Sequence, residues 1–543
     1  MTLFTTRLMR NCIVAPLAAA SLCGIAHAQL ATQTLQDNRL DARPVLPSEE
    51  SRAEAHGAGL PSINAHGNIA TIHVEGSSLS PERLAKATKP FVGGALDANR
   101  LRALADAIAA EYKRSRIAVY SVLIPEQDFK DGAVRVVALE THVEEIVLTG
   151  PGASKAGLTQ AYAAAMSKER PLTRPTLERY LLLMNDIPGV AASPQLAPGA
   201  SSDAVKLLIG RQQDPIEAVV TADSRGAERL GRTQLRGDVY FNGLGFESSQ
   251  TRLTAAASSD FESFLSAGLA QSGTFTSHAI TATASLGWFR TRPQDGGLAG
   301  EGYTAGLQLS HPLIRSSHAD LFIAAGLDGV DSKNALVGQV ISNDRSRAVR
   351  AAVSGTARRG RTAASFGASV SQGLDSLGAR TASPQLATLD FVKGNLHASI
   401  TRTLGDNWRI EGAATGQISK DTLPAAEMLS LGGASFGRAF ETGAISGDSG
   451  VAGMLQLTRT FDKIPLVKRG EAYAFVDGGK LWLEDRPGLT VTDYDIGSAG
   501  AGVRFGILDN ASLSLEIAQA IDVADEAVDE HAWRGSVTLG AAF

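Results

Sequence analysis

From Ile216 to Phe543 the sequence alternates between apolar and polar residues, run after run. In the last run Trp533, Gly535, Val537, Leu539, Ala541 and Phe543 fall on one side. Arg534, Ser536, Thr538, Gly540 and Ala542 fall on the other. A period of two is that of a β-strand, whose successive side chains point to opposite faces. The same pattern sets Leu513, Leu515 and Ile517 against Ser512, Ser514 and Glu516, and Leu396, Ala398 and Ile400 against His397, Ser399 and Thr401. It also sets Leu235, Gly237, Val239 and Phe241 against Gln234, Arg236, Asp238 and Tyr240. One such run would suit a half-buried strand of a soluble sandwich. So many in series suit a wall with lipid on one side and water on the other, closed on itself because lipid cannot satisfy the amides of an open edge. A mean hydropathy of −0.01 and 56 glycines agree, since alternation averages apolar and polar residues away. Spread over residues 216–543, sixteen strands leave about 20 residues for each strand and its connection, enough for ~10 residues of tilted span. A barrel of that size has a lumen wide enough for water.

Such a barrel requires export, and the N-terminus reads as an export signal. Arg7 and Arg10 precede an apolar run from Cys12 to Ala26, and Ala26-His27-Ala28 is a small-x-small site with cleavage expected between Ala28 and Gln29. The apolar run is shorter than the ~20 residues that span a bilayer as a helix. Both cysteines, Cys12 and Cys23, lie in this leader, so disulfides and thiolate metal sites are not expected in the mature chain. Losing Arg7 and Arg10 takes the net charge from −5 to about −7, which gives no reason to expect a nucleic-acid partner. The ten histidines are scattered without metal-ligand spacing, and neither a metal nor another cofactor is expected.

Between leader and barrel the pattern changes twice. Residues 29–68 are polar and read as a linker, with room for a short plug helix near Gln33–Ala42. Residues 69–142 read as β-α-α-β-β: a strand at Ala70–Val74, a helix opened by Ser80-Pro81-Glu82, and a second helix capped by Asp97 with Leu101, Leu104, Ala105, Ile108 and Tyr112 at helical spacing. Two β-rich runs follow, at Ala118–Ile124 and Ala133–Leu139. Residues 143–215 repeat the order: a strand at Val143–Leu148, a helix from Leu158 to Met166, a helix capped by Thr176, and strands near 190–197 and 204–211.

Inside the barrel region stands LGGASFGRAFETGAISGDSG, residues 431–450. Gly433-Ala434-Ser435-Phe436-Gly437 fits G-x-S-x-G, the elbow of α/β-hydrolases. That elbow needs a helix after the serine, and residues 438–450 have no helical period; the available histidine, His531, falls on or beside a barrel strand. An enzyme is therefore not expected. Gly497–Gly502 likewise sits within strand alternation and is not a nucleotide loop.

Several stretches resemble the two-partner secretion transporters, the TpsB or ShlB/FhaC/HecB haemolysin secretion/activation proteins. Leu181-Leu182-Leu183-Met184-Asn185-Asp186-Ile187-Pro188-Gly189-Val190 resembles the run of the second POTRA domain. Asp223-Ser224-Arg225-Gly226 with Gly231-Arg232 resembles the first barrel strand, and His311-Pro312-Leu313-Ile314-Arg315-Ser316 resembles a tyrosine-proline periplasmic turn with His for Tyr. Gly437-Arg438-Ala439-Phe440 resembles the arginine motif of the sixth extracellular loop, with Ala439 where the family usually has glycine. Phe475-Val476-Asp477-Gly478-Gly479 resembles the strand motif that partners it.

The resemblance implies α+β plus all-β membrane architecture: two POTRA domains, at residues 69–142 and 143–215, then a sixteen-stranded transmembrane β-barrel at 216–543. It implies a loop folded into the lumen, with Arg438 held by an acidic wall residue, Asp477. The implied site is Gly437, Arg438, Ala439 and Phe440 against Phe475, Asp477, Gly478 and Gly479, with Trp533 and Phe543 as the barrel's C-terminal signal. It further implies an outer-membrane pore of a Gram-negative bacterium that takes a large, unfolded haemagglutinin- or haemolysin-like exoprotein at periplasmic POTRA edges. Cargo folding outside would make the movement one-way. Outer-membrane lipids surround the pore, and the barrel-assembly machinery acts during its biogenesis. Two other readings are a barrel-assembly or translocation-assembly factor of the same superfamily, which has three to five POTRA modules, and a passive porin, which has none.

Overall fold

A computed structural model describes residues 67–140, 142–150, 157–200, 204–297, 299–336, 339–461, 467, 469–486, 493–507, 510–523 and 532–543. The expected leader with its Ala28–Gln29 cleavage site, the expected linker and plug helix up to residue 66, and His531 lie outside the described residues. The chain divides near Asp214 into two compact units.

In the first unit, β1 (Thr71–Glu75), α1 (Pro81–Thr88), α2 (Ala98–Lys113), β2 (Tyr120–Leu123) and β3 (Ala133–Glu140) form one module. β3 is central, parallel to β1 and antiparallel to β2. Asp97 starts α2 by accepting from the Arg100 amide at 2.8 Å, which satisfies one of the free N–H groups of the first turn. Leu101, Leu104, Ala105, Ile108 and Tyr112 then bury one face of the helix against Val122, Val134 and Val136 of the sheet. Ser80 occupies the N-cap of α1 but its side chain makes no cap bond; its carbonyl accepts from Arg83 and Leu84 instead. The Tyr112 hydroxyl donates to Glu140 Oε1 at 2.7 Å, and burial pushes this phenol above the ordinary tyrosine range.

β4 (His142–Thr149), α3 (Gly157–Met166), α4 (Arg174–Asn185), β5 (Val190–Pro198) and β6 (Ala204–Gln213) repeat the arrangement, with β6 central, parallel to β4 and antiparallel to β5. One sequence expectation is corrected here. Thr176 does not cap α4. Thr173 does, its hydroxyl accepting from the Thr176 amide at 3.4 Å, and Pro175 sits in the first turn. Proline is tolerated there because the missing N–H has no partner in the helix anyway. The modules are joined by backbone bonds from Ala118 N to Leu172 O at 2.8 Å and from Arg174 N to Arg116 O at 2.6 Å.

The second unit is a closed barrel of sixteen antiparallel strands. The first eight are β7 (Ile216–Asp223), β8 (Gln234–Asn242), β9 (Ser249–Ser258), β10 (Phe264–Thr274), β11 (Thr281–Thr291), β12 (Ala299–Arg315), β13 (Ala319–Leu336) and β14 (Gln339–Arg359). Next come β15 (Thr362–Gly373), β16 (Val392–Leu404) and β17 (Trp408–Ser419), followed by a long loop that contains the two short strands β18 (Leu429–Leu431) and β19 (Ile445–Gly447). The wall resumes with β20 (Ser449–Phe461), β21 (Arg469–Trp482), β22 (Asp493–Gly506), β23 (Ala511–Val523) and β24 (Trp533–Ala542). β24 pairs with β7, from Thr538 opposite Asp223 to Ala542 opposite Val219, and this seam removes the last free edge. Two motif placements shift. β7 ends at Asp223, so Ser224, Arg225 and Gly226 follow the first strand, and His311–Arg315 continues β12, with the turn at residues 316–318.

Alternation has the expected consequence on both faces. Leu269, Leu286, Leu307, Leu396, Ile400 and Leu539 are exposed on the outside, a band that a water-soluble surface would not carry. Asp238, Arg350, Gln456, Asp477 and Glu516 point inward and are buried. Aromatic residues mark the rims: Phe246, Phe275, Trp408 and Phe543 at the end where β7 starts, Trp482 and Trp533 at the other. Strand parity places the loop of residues 420–448 at that other end, and its side chains are largely buried inside the barrel.

Candidate functional site in the barrel lumen

The loop between β17 and β20 folds back along the inner wall. β18 and β19 pair into a small hairpin, Leu429 opposite Gly447. Between them Gly432, Gly433, Gly437 and Gly443 all have positive φ, 107°, 91°, 79° and 74°. Gly437 shows why this composition is required: a Cβ there would stand 2.4 Å from Ile496 Cδ1. Ala439 does not have a positive φ, so its Cβ introduces no backbone strain. Leu431, Phe436, Ala439 and Phe440 bury against Ala452, Tyr473, Phe475 and Ile496, fixing this part of the loop on β20 to β22 by apolar contact.

That packing delivers Arg438 to a pair of acids. Its Nε faces Asp477 Oδ2 at 3.2 Å as an ion pair, without the alignment of a hydrogen bond. Its NH1 donates to Glu516 Oε2 at 3.2 Å and to Gln456 Oε1 at 3.1 Å. The guanidinium carbon lies 4.1 Å from the centre of the Phe475 ring, a cation–π contact. Asp477 is further satisfied by the amides of Gly437 at 2.6 Å and Arg438 at 3.2 Å, and by the Ser498 hydroxyl at 2.5 Å. A buried charge is costly unless paired and hydrogen-bonded, and here both partners are. Gly478 and Gly479 complete the wall: a Cβ on either would come within 2.5 Å of a neighbouring carbonyl, Ile496 O or Val451 O. The site thus brings together Gly437, Arg438, Ala439, Phe440, Phe475, Asp477, Gly478 and Gly479. Trp533 and Phe543 stand apart from it, exposed on the outer rims.

Four participants were not legible as such in the sequence. Glu516 on β23 bridges two cations, accepting from Arg438 with one oxygen and from Arg225 NH2 at 3.1 Å with the other. Arg225 also donates to Asp223 at 2.9 Å and to Thr538 at 2.7 Å, so it spans the β7–β24 seam. Gln456 on β20 holds Arg438 and donates to Glu411 at 2.7 Å. Glu427, before β18, is 1 % exposed and meets Arg350 NH2 at 2.7 Å and Lys393 Nζ at 2.9 Å. Alternation signals that Glu516 and Gln456 face inward, but their height in the lumen depends on register, which composition does not carry.

Ser435 does not have the surroundings of a nucleophile. Its Oγ is buried and makes no hydrogen bond among the described residues. The chemistry available in the lumen is that of fixed opposite charges and glycine-lined backbone.

A family profile described as haemolysin secretion/activation protein ShlB/FhaC/HecB matches residues 204–505, and one described as POTRA domain, ShlB-type, matches residues 68–141. The heme/hemopexin transporter protein HuxB of Haemophilus influenzae is 23% identical over 392 residues, which cover 68% of this chain and 67% of HuxB. The outer membrane transporter CdiB of Dickeya dadantii is 24% identical over 393 residues, 70% of each chain. The solved structure of CdiB from Escherichia coli superposes with a TM-score of 0.72 at 20% identity, over 96% of this chain and 100% of that one, a likeness of fold.

Proposed function

The chain belongs to the haemolysin secretion/activation family ShlB/FhaC/HecB, outer-membrane transporters that move a separate exoprotein across the outer membrane in two-partner secretion, and on that premise we propose how its own residues serve transport. The lumen loop is the resting closure of the pore, and Arg438 is its latch. The observation that carries this reading is Arg438 paired with Asp477 and Glu516 on the wall while its loop occupies the lumen.

The cargo is a large haemagglutinin- or haemolysin-like exoprotein that arrives unfolded. Each β-α-α-β-β module leaves two sheet edges, β1 and β2 in one, β4 and β5 in the other. An extended cargo segment adds to such an edge as a further strand, gaining main-chain hydrogen bonds with little demand on its sequence. The segment then enters the lumen, where the loop must yield. Breaking Arg438 from its two acids in water-poor surroundings leaves charges uncompensated unless water or cargo replaces them, so the latch opens only when something enters. The reading assigns no catalytic role to Ser435, no cofactor and no metal. Lipid contacts the outer band, and the barrel-assembly machinery uses the Trp533 to Phe543 strand during insertion.

Replacing Arg438 with Ala is expected to leave the barrel inserted, with its heat-modifiable band shift intact, to raise ion leakage through it, and to lower exoprotein release about tenfold or more, because a loop without a fixed position obstructs the path of the cargo. Arg438→Lys should be intermediate, since an ammonium keeps the charge but loses the planar fork. Normal release by Arg438→Ala would mean the arginine is no latch.

A further inference from the structure

A buried charged anchor of the loop lies some 11 positions before Arg438 and has the opposite sign. Glu427 ends a single 3-10 turn, Ala425–Glu427, that leads into β18. Its carboxylate meets Arg350 of β14 at 2.7 Å and Lys393 of β16 at 2.9 Å. Arg350 is in turn paired with Asp328 of β13 at 2.6 Å, and Lys393 also donates to the Glu427 carbonyl at 2.6 Å. Gln417 Nε2 reaches the same carbonyl at 3.1 Å. Two cations and two anions balance, and all four are buried or nearly so. The flanking residues are held in apolar contacts: Ala426 packs with Leu230, Phe264, Phe289 and Val330, and Met428 with Ala348, Phe391 and the loop's own Leu423.

We propose that Glu427 is a second positioning residue for transport, and that the loop is a strap pinned across the lumen at two points of opposite polarity. At one point the loop supplies the cation, Arg438, to acids on β21 and β23. At the other it supplies the anion, Glu427, to bases on β14 and β16. This rests on the reading of the loop as the pore's closure and extends it. A buried ion pair adds little net stability over an apolar replacement, so four charges gathered here argue for fixing a position. Opposite polarity also sets the strap's direction, because neither end can bind the other end's site without placing like charges together. Release of the strap from the lumen wall therefore requires these two pins to break, and each contributes its own factor to the closed state.

The test uses the full chain, purified and inserted in planar lipid bilayers, with potassium chloride current as the readout. Glu427→Gln keeps shape and removes charge; it is expected to raise the open fraction about tenfold, and Glu427→Gln with Arg438→Ala to raise it by the product of the two single effects. A Ser430→Cys reporter follows the loop directly, since the only native cysteines are Cys12 and Cys23 of the leader. Its labelling by an impermeant maleimide should quicken in the Glu427→Gln background. Glu427→Asp, which keeps the charge, should stay closer to wild type than Glu427→Gln in both current and labelling. Wild-type current and labelling in a properly inserted Glu427→Gln barrel overturn the second pin, whereas a silent Arg438→Ala alone overturns the latch and leaves Glu427 standing.

Discussion

Asp477 receives two backbone amides, a serine hydroxyl and an arginine, and this density of donors makes the loop's position exacting. Gly437 supplies one of those amides at a φ of 79°, with no space for a side chain. Gly437→Ala should therefore act as strongly as loss of the arginine. The left-handed backbone alone costs an L-residue about 1–2 kcal/mol, and a methyl there also displaces the end of the Ile496 side chain from its place against the loop. The expected outcome is a folded, inserted barrel with reduced exoprotein release and quicker proteolysis within residues 431–450. Protease resistance equal to wild type would show that the loop tolerates the shift. At this scale the sequence was informative where a residue type has one use. The resemblance of two short motifs to a known family implied the pairing of Arg438 with Asp477; residue type alone indicates only that a guanidinium inside a lumen needs a carboxylate. Glu427 does not stand out, because a lone acid in a loop looks the same whether it is solvated or pinned between Arg350 and Lys393.

Elements were legible wherever period and cap chemistry agreed. Helix α2 follows its Asp97 cap and its buried stripe, and the barrel strands follow their alternation. The start of α4 was misread because Pro175 looks like a boundary when it lies within the first turn. The difference has a measurable consequence. Thr173→Ala removes the hydroxyl that accepts from the Thr176 amide and also bonds Glu169, while Thr176→Ala removes a side chain already inside the helix. Thr173→Ala is expected to destabilise α4 by about 1 kcal/mol, and Thr176→Ala by less. Amide hydrogen exchange of residues 174–185 in the full chain distinguishes the two; a larger loss of protection in Thr176→Ala would restore the later start. Strand ends were the least legible feature, as in His311–Arg315, which continues β12 instead of turning. Proline near a strand's end removes few ladder bonds, so its presence does not fix where the turn falls.

At the scale of the whole molecule, a barrel is stable only if its first and last strands meet, and here they meet over a short stretch. β24 pairs with β7 through five residues, Thr538 to Ala542, fewer than the nine or more that join most neighbouring strands. Phe543 extends that seam. Its amide donates to Ala218 O at 2.8 Å and its carbonyl accepts from Ala218 N at 3.1 Å, while its ring lies exposed on the outer rim. Arg225 adds a clasp on the inside, holding Asp223 and Thr538 across the seam and Glu516 beside it. Deleting Phe543 removes both terminal backbone bonds and the rim aromatic together, in a setting where lipid offers no replacement partner for a freed amide. We expect the deletion to lower the amount of barrel in the outer membrane several-fold and to lower the temperature at which the remaining heat-modifiable band converts. Phe543→Ala keeps the backbone bonds and removes only the ring. If the ring acts as the insertion signal, Phe543→Ala should reproduce the loss of membrane-inserted protein with the conversion temperature nearly unchanged. If seam closure is what matters, the deletion alone should lower that temperature. Membrane levels and conversion temperature equal to wild type in both variants would mean that Arg225 and the five-residue ladder suffice to close the ring.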